Sequence, residues 1–307
     1  MKTFSDIENI PQIEGSVVTI GNFDGIHLGH QKIITQLKEY AEKLKVPSVV
    51  ISFNPTPQNF FGADHATLSS YEEKDFFLSG LGINYHLVIN FNKEFSNISA
   101  QSFIEEILLR KLNIKLCLVG DDFRFGKNRV GDFSLLQENG ARHGFAVEET
   151  ATIEHDKTRI SSTRIRECLQ QNNLEETKEL LGRSYSISGK VVRGQQRGRT
   201  INFPTINILP NRSKSPVSGV FAVEVRLSDQ SYFGICNAGQ KPTVNGREFL
   251  FETHIFDFEK DVYEQFAEIV FLKHIRPEKK FNSFEELKNQ IEKDVVKAKN
   301  FFKLTSS

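Results

Sequence analysis

The feature that most constrains this chain is the junction at residues 16–30. There the apolar run Ser-Val-Val-Thr-Ile gives way to Gly-Asn-Phe-Asp-Gly-Ile-His-Leu-Gly-His and then to a helical pattern. An apolar run without alternation suits a strand buried on both faces. The following HQKIITQLKEYAEKLK places Ile33, Ile34, Leu37, Tyr40, Ala41 and Leu44 at helical spacing. A second unalternating run, PSVVISF (47–53), completes a βαβ unit over 16–53. Strand patterns at 85–91, 115–120 and 144–149 continue the alternation, with an amphipathic helix over 99–112 that Ser99 caps. The first part of the chain therefore reads as α/β, a Rossmann-like open sheet of mostly parallel strands. Ligands of such sheets sit beyond the carboxyl ends of the strands, where residues 21–30 lie.

A chain of 307 residues is comfortable for two domains. The texture changes near Leu181-Gly182-Arg183, so the expected division is 1–182 and 183–307. Beyond it come short strand-like runs: YSISGKVV, GVFAVEVRL, SYFGICNA, REFLFETHIFDF and QFAEIVFLKHI. Gly, Pro, Asn and Asp punctuate them at short intervals, as in an antiparallel β-barrel. The end is a long helix opened by the capping box Ser283-Phe-Glu-Glu286, with Phe284, Leu287, Ile291, Val295 and Phe302 on one side. Phe occurs 27 times and Trp never, and core filling is the simplest use of so many rings.

Thirty-nine basic residues balance thirty-nine acidic ones, so no global field recruits nucleic acid or a membrane surface. An anionic ligand must be held locally. Residues 21–30 are built for that: helix N-terminal amides point at an anion, glycines permit close backbone approach, and His27 and His30 add imidazole donors where charge shifts. No Gly-Lys-Ser/Thr follows, and the dinucleotide G-x-G-x-x-G spacing is absent. Farther on, Ile160-Ser-Ser-Thr-Arg-Ile-Arg166 heads a helix whose hydroxyls can bind phosphate oxygens while Arg166 neutralises charge. A lone histidine pair fits a tight turn, and a lone Ser-Ser-Thr-Arg an ordinary capped helix. Two anion-binding elements in one domain favour the phosphate reading. The three cysteines, Cys117, Cys168 and Cys236, are far apart and form no CxxC pair, which suits a reducing, cytoplasmic setting. The N-terminal stretch has no apolar core of signal-peptide length, and no window approaches a membrane span.

Together the two elements resemble the HxGH and ISSTxxR motifs of the nucleotidyltransferase superfamily. Val119-Gly-Asp-Asp-Phe-Arg-Phe-Gly126 resembles the flavin-lining element of bacterial FAD synthetases, and Gly198-Arg-Thr-Ile-Asn-Phe-Pro-Thr-Ile-Asn207 is similar to the GRxxGFPTAN element of riboflavin kinases. Residues 237–244, 251–263 and 275–295 continue the second match in order, so nearly the whole chain resembles the prokaryotic bifunctional riboflavin kinase/FAD synthetases.

That resemblance implies two ATP-dependent reactions. In the C-terminal half, riboflavin would become FMN, with Glu252 as base, Arg197 and Gly198 in the phosphate loop, and Thr205 and Asn207 holding phosphates and Mg2+. In the N-terminal half, FMN would attack the α-phosphate of ATP, giving FAD and pyrophosphate. Gly21, Phe23, Asp24, Gly25, His27, Gly29, His30, Ser162, Thr163 and Arg166 would bind ATP there, with His27, His30 and Arg166 assisting transfer. Pro55, Pro57, Asp122, Phe123, Arg124 and Phe125 would line the flavin. Asp24 could equally cap the following turn. The implied partners are riboflavin, FMN, FAD and ATP, with self-association left open.

The chain departs from the family pattern at several points. Phe53-Asn-Pro-Thr-Pro-Gln58 stands where Phe-x-Pro-His-Pro-Arg is usual, Asp121 adds a charge, Asn202 replaces a glycine, and Glu264 replaces the glycine after Tyr263. Two alternatives therefore stand beside the bifunctional enzyme: a paralogue active in one step, and a flavin- or nucleotide-binding regulator without catalysis.

Overall fold

The computed structural model describes residues 1–5, 7–63, 66–193, 203–212, 214–228, 230–243 and 246–304. They form two compact units, Met1–His65 with Tyr71–Ser162, and Ala66–Ser70 with Thr163–Ser307.

The first unit is a six-stranded parallel sheet in the order β1-β4-β3-β2-β5-β6. Its strands are β1 (Lys2–Phe4), β2 (Ser16–Ile20), β3 (Ser48–Asn54), β4 (Tyr85–Asn90), β5 (Ile114–Gly120) and β6 (Ala146–Thr150). Every residue of β2 is buried, as its unalternating sequence requires. One face packs on α1 (Leu28–Leu44) through Ile34, Leu37 and Ala41. Leu44, in the last turn, is exposed instead. Two more helices precede β4: the short α2 (Pro57–Phe60) and α3 (Tyr71–Gly80). The other face is covered by α4 (Ala100–Ser102), which Ser99 caps by accepting from Ser102 N, and which continues as a π-helix over Phe103–Lys111. An α-helix is the expectation here. Buried Ala100, Phe103, Ile104, Ile107 and Leu108 keep α-helical spacing, so the i→i+5 bonding over this stretch is a departure that the apolar pattern does not announce. After α5 (Phe133–His143) and β6, a small hairpin of β7 (Glu154–His155) and β8 (Thr158–Arg159) leads to α6 (Ser162–Gln170).

The second unit holds α7 (Leu174–Leu181) and a closed six-stranded barrel. Its strands are β9 (Ser186–Val192), β10 (Ile206–Leu209), β11 (Gly219–Leu227), β12 (Gln230–Thr243), β13 (Gly246–Ile255) and β14 (Phe266–Arg276), and all their pairings are antiparallel. Phe221, Phe251 and Phe271 fill the bore, with ring centroids 5.2 and 6.0 Å apart, as a barrel this narrow demands. On the outer wall Val220, Ala222, Ile235 and Phe256 pack against Ala298 of α8 (Phe284–Phe301). Ser283 caps α8 by accepting from Glu286 N at 3.1 Å, but the Glu286 carboxylate reaches back to Asn282 N, one residue earlier than a capping box. Phe284 is half exposed and does not join the apolar face.

Candidate functional sites

After β2 the backbone enters the left-handed region three times within four residues: Phe23 at φ 47°, Gly25 at 86° and Ile26 at 42°. For a β-branched residue this is a real outlier. Burial holds it in place, since Phe23 and Ile26 are 2% and 1% exposed in the α1-side core. Gly21 N donates to Ile51 O at 3.1 Å and ties the start of the loop to β3.

The contorted loop delivers His27 as the N-cap of α1, where its Nδ1 accepts from His30 N at 3.3 Å. An accepting Nδ1 carries no proton, so this imidazole is neutral with its N–H at Nε2. The His27 and His30 rings stack with centroids 3.6 Å apart. Burial first, then the neighbouring His27, Lys74 and Arg159, hold the His30 pKa well below the ordinary range. His30 Nδ1 is buried and has no hydrogen-bond partner among the described residues. The stacked imidazole pair can offer hydrogen bonds to a developing anion. Asp24 is buried, the N-cap of α1 is His27, and the Asp24 carbonyl accepts from Ser162 Oγ at 2.9 Å. The Gly29 α-carbon also faces the Ile160 carbonyl, so the two motifs, about 130 residues apart, meet. Thr163 is exposed on α6, and Arg166 Nε donates to Ala66 O at 2.7 Å within the second unit.

At the end of β3 the Asn54–Pro55 peptide is cis, and Pro57 opens α2. The two departures from the family pattern here have local work. Thr56 caps α2 by accepting from Asn59 N at 3.4 Å, and Gln58 Oε1 accepts from Asn22 Nδ2 at 2.8 Å. Phe123 stacks on Phe125 at 5.4 Å, and Phe125 is buried behind it. Arg124 is exposed and donates to the Phe123 carbonyl at 2.7 Å. The extra charge of Asp121 is met by Thr152 Oγ1 at 2.6 Å and by Arg159 at 3.1 Å, while Asp122 shares the same guanidinium at 3.1 Å. The Thr152 hydrogen bond first, then Arg159, hold the Asp121 carboxyl below its usual range.

In the barrel, the register places Asn207 of β10 and Asn237 of β12 directly opposite Glu252 of β13, one on each side. Opposed residues share a face with Cβ atoms about 5 Å apart. Asn237 also pairs with Val220, whose side chain packs under α8, so this row lies on the outer wall and not in the bore. Glu252 is half-buried; Asn207 is 3% exposed, and its Oδ1 has no hydrogen-bond partner among the described residues. An orphaned buried carbonyl oxygen is open to a water, an ion or a ligand. Thr205, half-buried, precedes β10 by one residue, and His254 Nδ1 lies 2.9 Å from the Pro204 carbonyl. Arg197, Gly198 and Asn202 fall outside the described residues. Strand alternation already sets His254 on the face of Glu252; its contact with Pro204 and the place of Asn237 opposite Glu252 come from loop packing and strand register.

Comparison with known proteins follows the same two halves. A family model described as FAD synthetase matches residues 9–164, and one described as riboflavin kinase matches 181–302. The bifunctional riboflavin kinase/FMN adenylyltransferase of Haemophilus influenzae is 43% identical over 293 residues, 94% of this chain and 95% of that protein. The Escherichia coli K12 protein of the same description is 43% identical over 310 residues, 99% of each chain. A crystal structure described as a macrolide-efflux protein from Streptococcus pneumoniae matches with TM-score 0.79 and 31% identity, covering 95% of this chain and 96% of that one. Among the described residues, no helix is long and apolar enough to cross a membrane.

Proposed function

The chain belongs to the bifunctional riboflavin kinase/FMN adenylyltransferase family, and from that premise we infer how its residues divide the work. The protein phosphorylates riboflavin to FMN and adenylylates FMN to FAD, releasing pyrophosphate. We assign adenylylation to residues 1–182 and phosphorylation to 183–307, in keeping with the matched ranges.

In the first half an FMN phosphate oxygen attacks the α-phosphorus of ATP as the bond to the pyrophosphate oxygen breaks. The nucleophile is already an anion, so no protein base is required. The contribution of the chain is placement and charge stabilisation. His27 and His30 donate to the triphosphate from the stacked pair, Ser162 fixes the loop through Asp24, and phosphate binding is assigned also to Thr163 and Arg166 of the same helix. Gly21, Gly25 and Gly29 keep the backbone close to the nucleotide. Phe123 offers a ring face to the flavin with Phe125 as its backing, beside Arg124, Asp122, Pro55 and Pro57.

In the second half Glu252 takes the proton of the ribityl 5′-hydroxyl as that oxygen attacks the γ-phosphorus of ATP, and ADP leaves. A hard divalent cation, magnesium in this reading, neutralises charge on the phosphates when bound. The donor set suits it: the orphaned Asn207 Oδ1 and the Thr205 hydroxyl are hard oxygens. Arg197 and Gly198, which lie outside the described residues, are assigned to phosphate binding. Three buried cysteines without disulfides support a cytoplasmic setting.

The observation that carries this division is the row Asn207–Glu252–Asn237, a carboxylate flanked by amides with one acceptor left open. The test is to incubate the purified protein with riboflavin, ATP and magnesium and resolve the products by chromatography. FMN and FAD are both expected. FMN without FAD, or neither, contradicts the assignment.

A further inference from the structure

We propose that His254 is a positioning residue of the kinase site, tying the Phe203–Thr205 turn to the strand that carries Glu252. The proposal rests on the reading of Thr205 and Asn207 as the phosphate- and metal-holding pair.

The ladder between β10 and β13 begins at Ile206, opposite Thr253, and continues through Asn207 and Ile208. Residues 203–205 precede it and gain no strand pairing. Pro204 has no N–H, so its carbonyl is the only backbone group it can use for attachment. His254 Nδ1 lies 2.9 Å from that carbonyl, and the imidazole meets the Phe203 ring edge-on, centroids 5.2 Å apart at 85°. A carbonyl only accepts, so Nδ1 must carry the proton. Burial is the main cause holding the His254 pKa below the ordinary value. Glu252 and His254 are two residues apart on one strand and share a face. The base and the tether of the turn are therefore set by the same short piece of backbone.

Three variants separate positioning from bulk. His254→Asn keeps a donor at the δ position, His254→Gln moves it one atom outward, and His254→Leu removes it. Measured on each are FMN formation, the magnesium concentration giving half-maximal rate, the riboflavin KM, Tm, and FMN adenylylation as an internal control. In the Leu and Gln variants we expect kcat for FMN to fall about tenfold or more and the half-maximal magnesium to rise severalfold, the size of effect a displaced ligand turn produces. Riboflavin KM, Tm and adenylylation should stay near wild type, and Asn should recover most of the loss. In the unliganded wild type, long-range 1H–15N NMR should show His254 as the Nδ1–H tautomer.

Unchanged magnesium dependence in the Leu variant, an Asn variant as impaired as Leu, losses that track Tm, or an Nε2–H tautomer would each overturn the proposal. If Asn207→Ala leaves magnesium dependence unchanged, the underlying assignment of the turn fails first and the positioning role fails with it.

Discussion

Gly29→Ala isolates the imidazole pair from the stability of its domain. A Cβ built on Gly29 sits 3.1 Å from both Cε1 and Nδ1 of His27, tighter than ordinary contact. The ring cannot retreat freely. It is 6% exposed, lies 3.6 Å from the His30 ring, and holds His30 N at 3.3 Å. Alanine in place of helical glycine stabilises by about 0.5–1 kcal/mol, and weakening an N-cap costs about 1 kcal/mol. These offset, so Tm should move by no more than a few degrees. The imidazole, however, must shift by a few tenths of an ångström where transfer depends on placement, and FAD formation should fall about 10- to 100-fold. Coupled measurement of FMN and FAD from riboflavin, with a thermal melt, reads both effects. FAD formation at the wild-type rate would refute the claim that this stacked geometry matters, and an equal loss of FMN formation would refute its confinement to one half.

Further predictions concern the framework. Glu264 sits at φ 67° with an exposed side chain whose partner, Lys190, is exposed too. Glu264→Gly relieves roughly 1 kcal/mol of left-handed strain against about 0.4–1 kcal/mol of added unfolded-state entropy, so urea unfolding should show a neutral to slightly stabilised protein; marked destabilisation would count against the strain. His30, His254 and His274 all have pKa values lowered by burial. The unfolded chain then binds more protons below the ordinary histidine value of about 6.5, so stability should fall as pH drops through that value toward the folded-state pKa values. A Tm identical at pH 7.5 and 5.5 (about one unit either side) would contradict this. Gly140→Ala puts a Cβ 2.5 Å from the Phe145 carbonyl and should cost about 1–3 kcal/mol. Gly239→Ala meets Glu278 Oε1, but that exposed side chain can swing away, so near-neutral stability is expected. The reverse order in chemical denaturation would contradict the distinction.

Much of the architecture was legible because its periods are strong. The βαβ unit, the parallel sheet, the barrel and the final helix all follow from apolar spacing and turn residues. The three-residue β1 and four-residue β10 are too short to show a period. The meeting of the two N-terminal motifs was expected, but its means, a serine hydroxyl on the Asp24 carbonyl, was not. Nor could spacing reveal that Phe23 and Ile26 adopt left-handed backbone, since burial and not residue type imposes it. Alternation set His254 beside Glu252, but its contact with Pro204 comes from packing, and Asn237 escaped because register alone brings it opposite Glu252. The departures from the family pattern show the same limit. Asp121 looked like an uncompensated charge until Thr152 and Arg159 appeared beside it.

The most direct test mixes two defective proteins. His27→Ala with His30→Ala should still convert riboflavin to FMN and stop there, and Glu252→Ala should leave riboflavin untouched yet adenylylate added FMN. Given riboflavin, ATP and magnesium, neither alone makes FAD, and the mixture should. If either variant loses both reactions, or the mixture yields FMN without FAD, the assignment of one chemistry to each half is wrong.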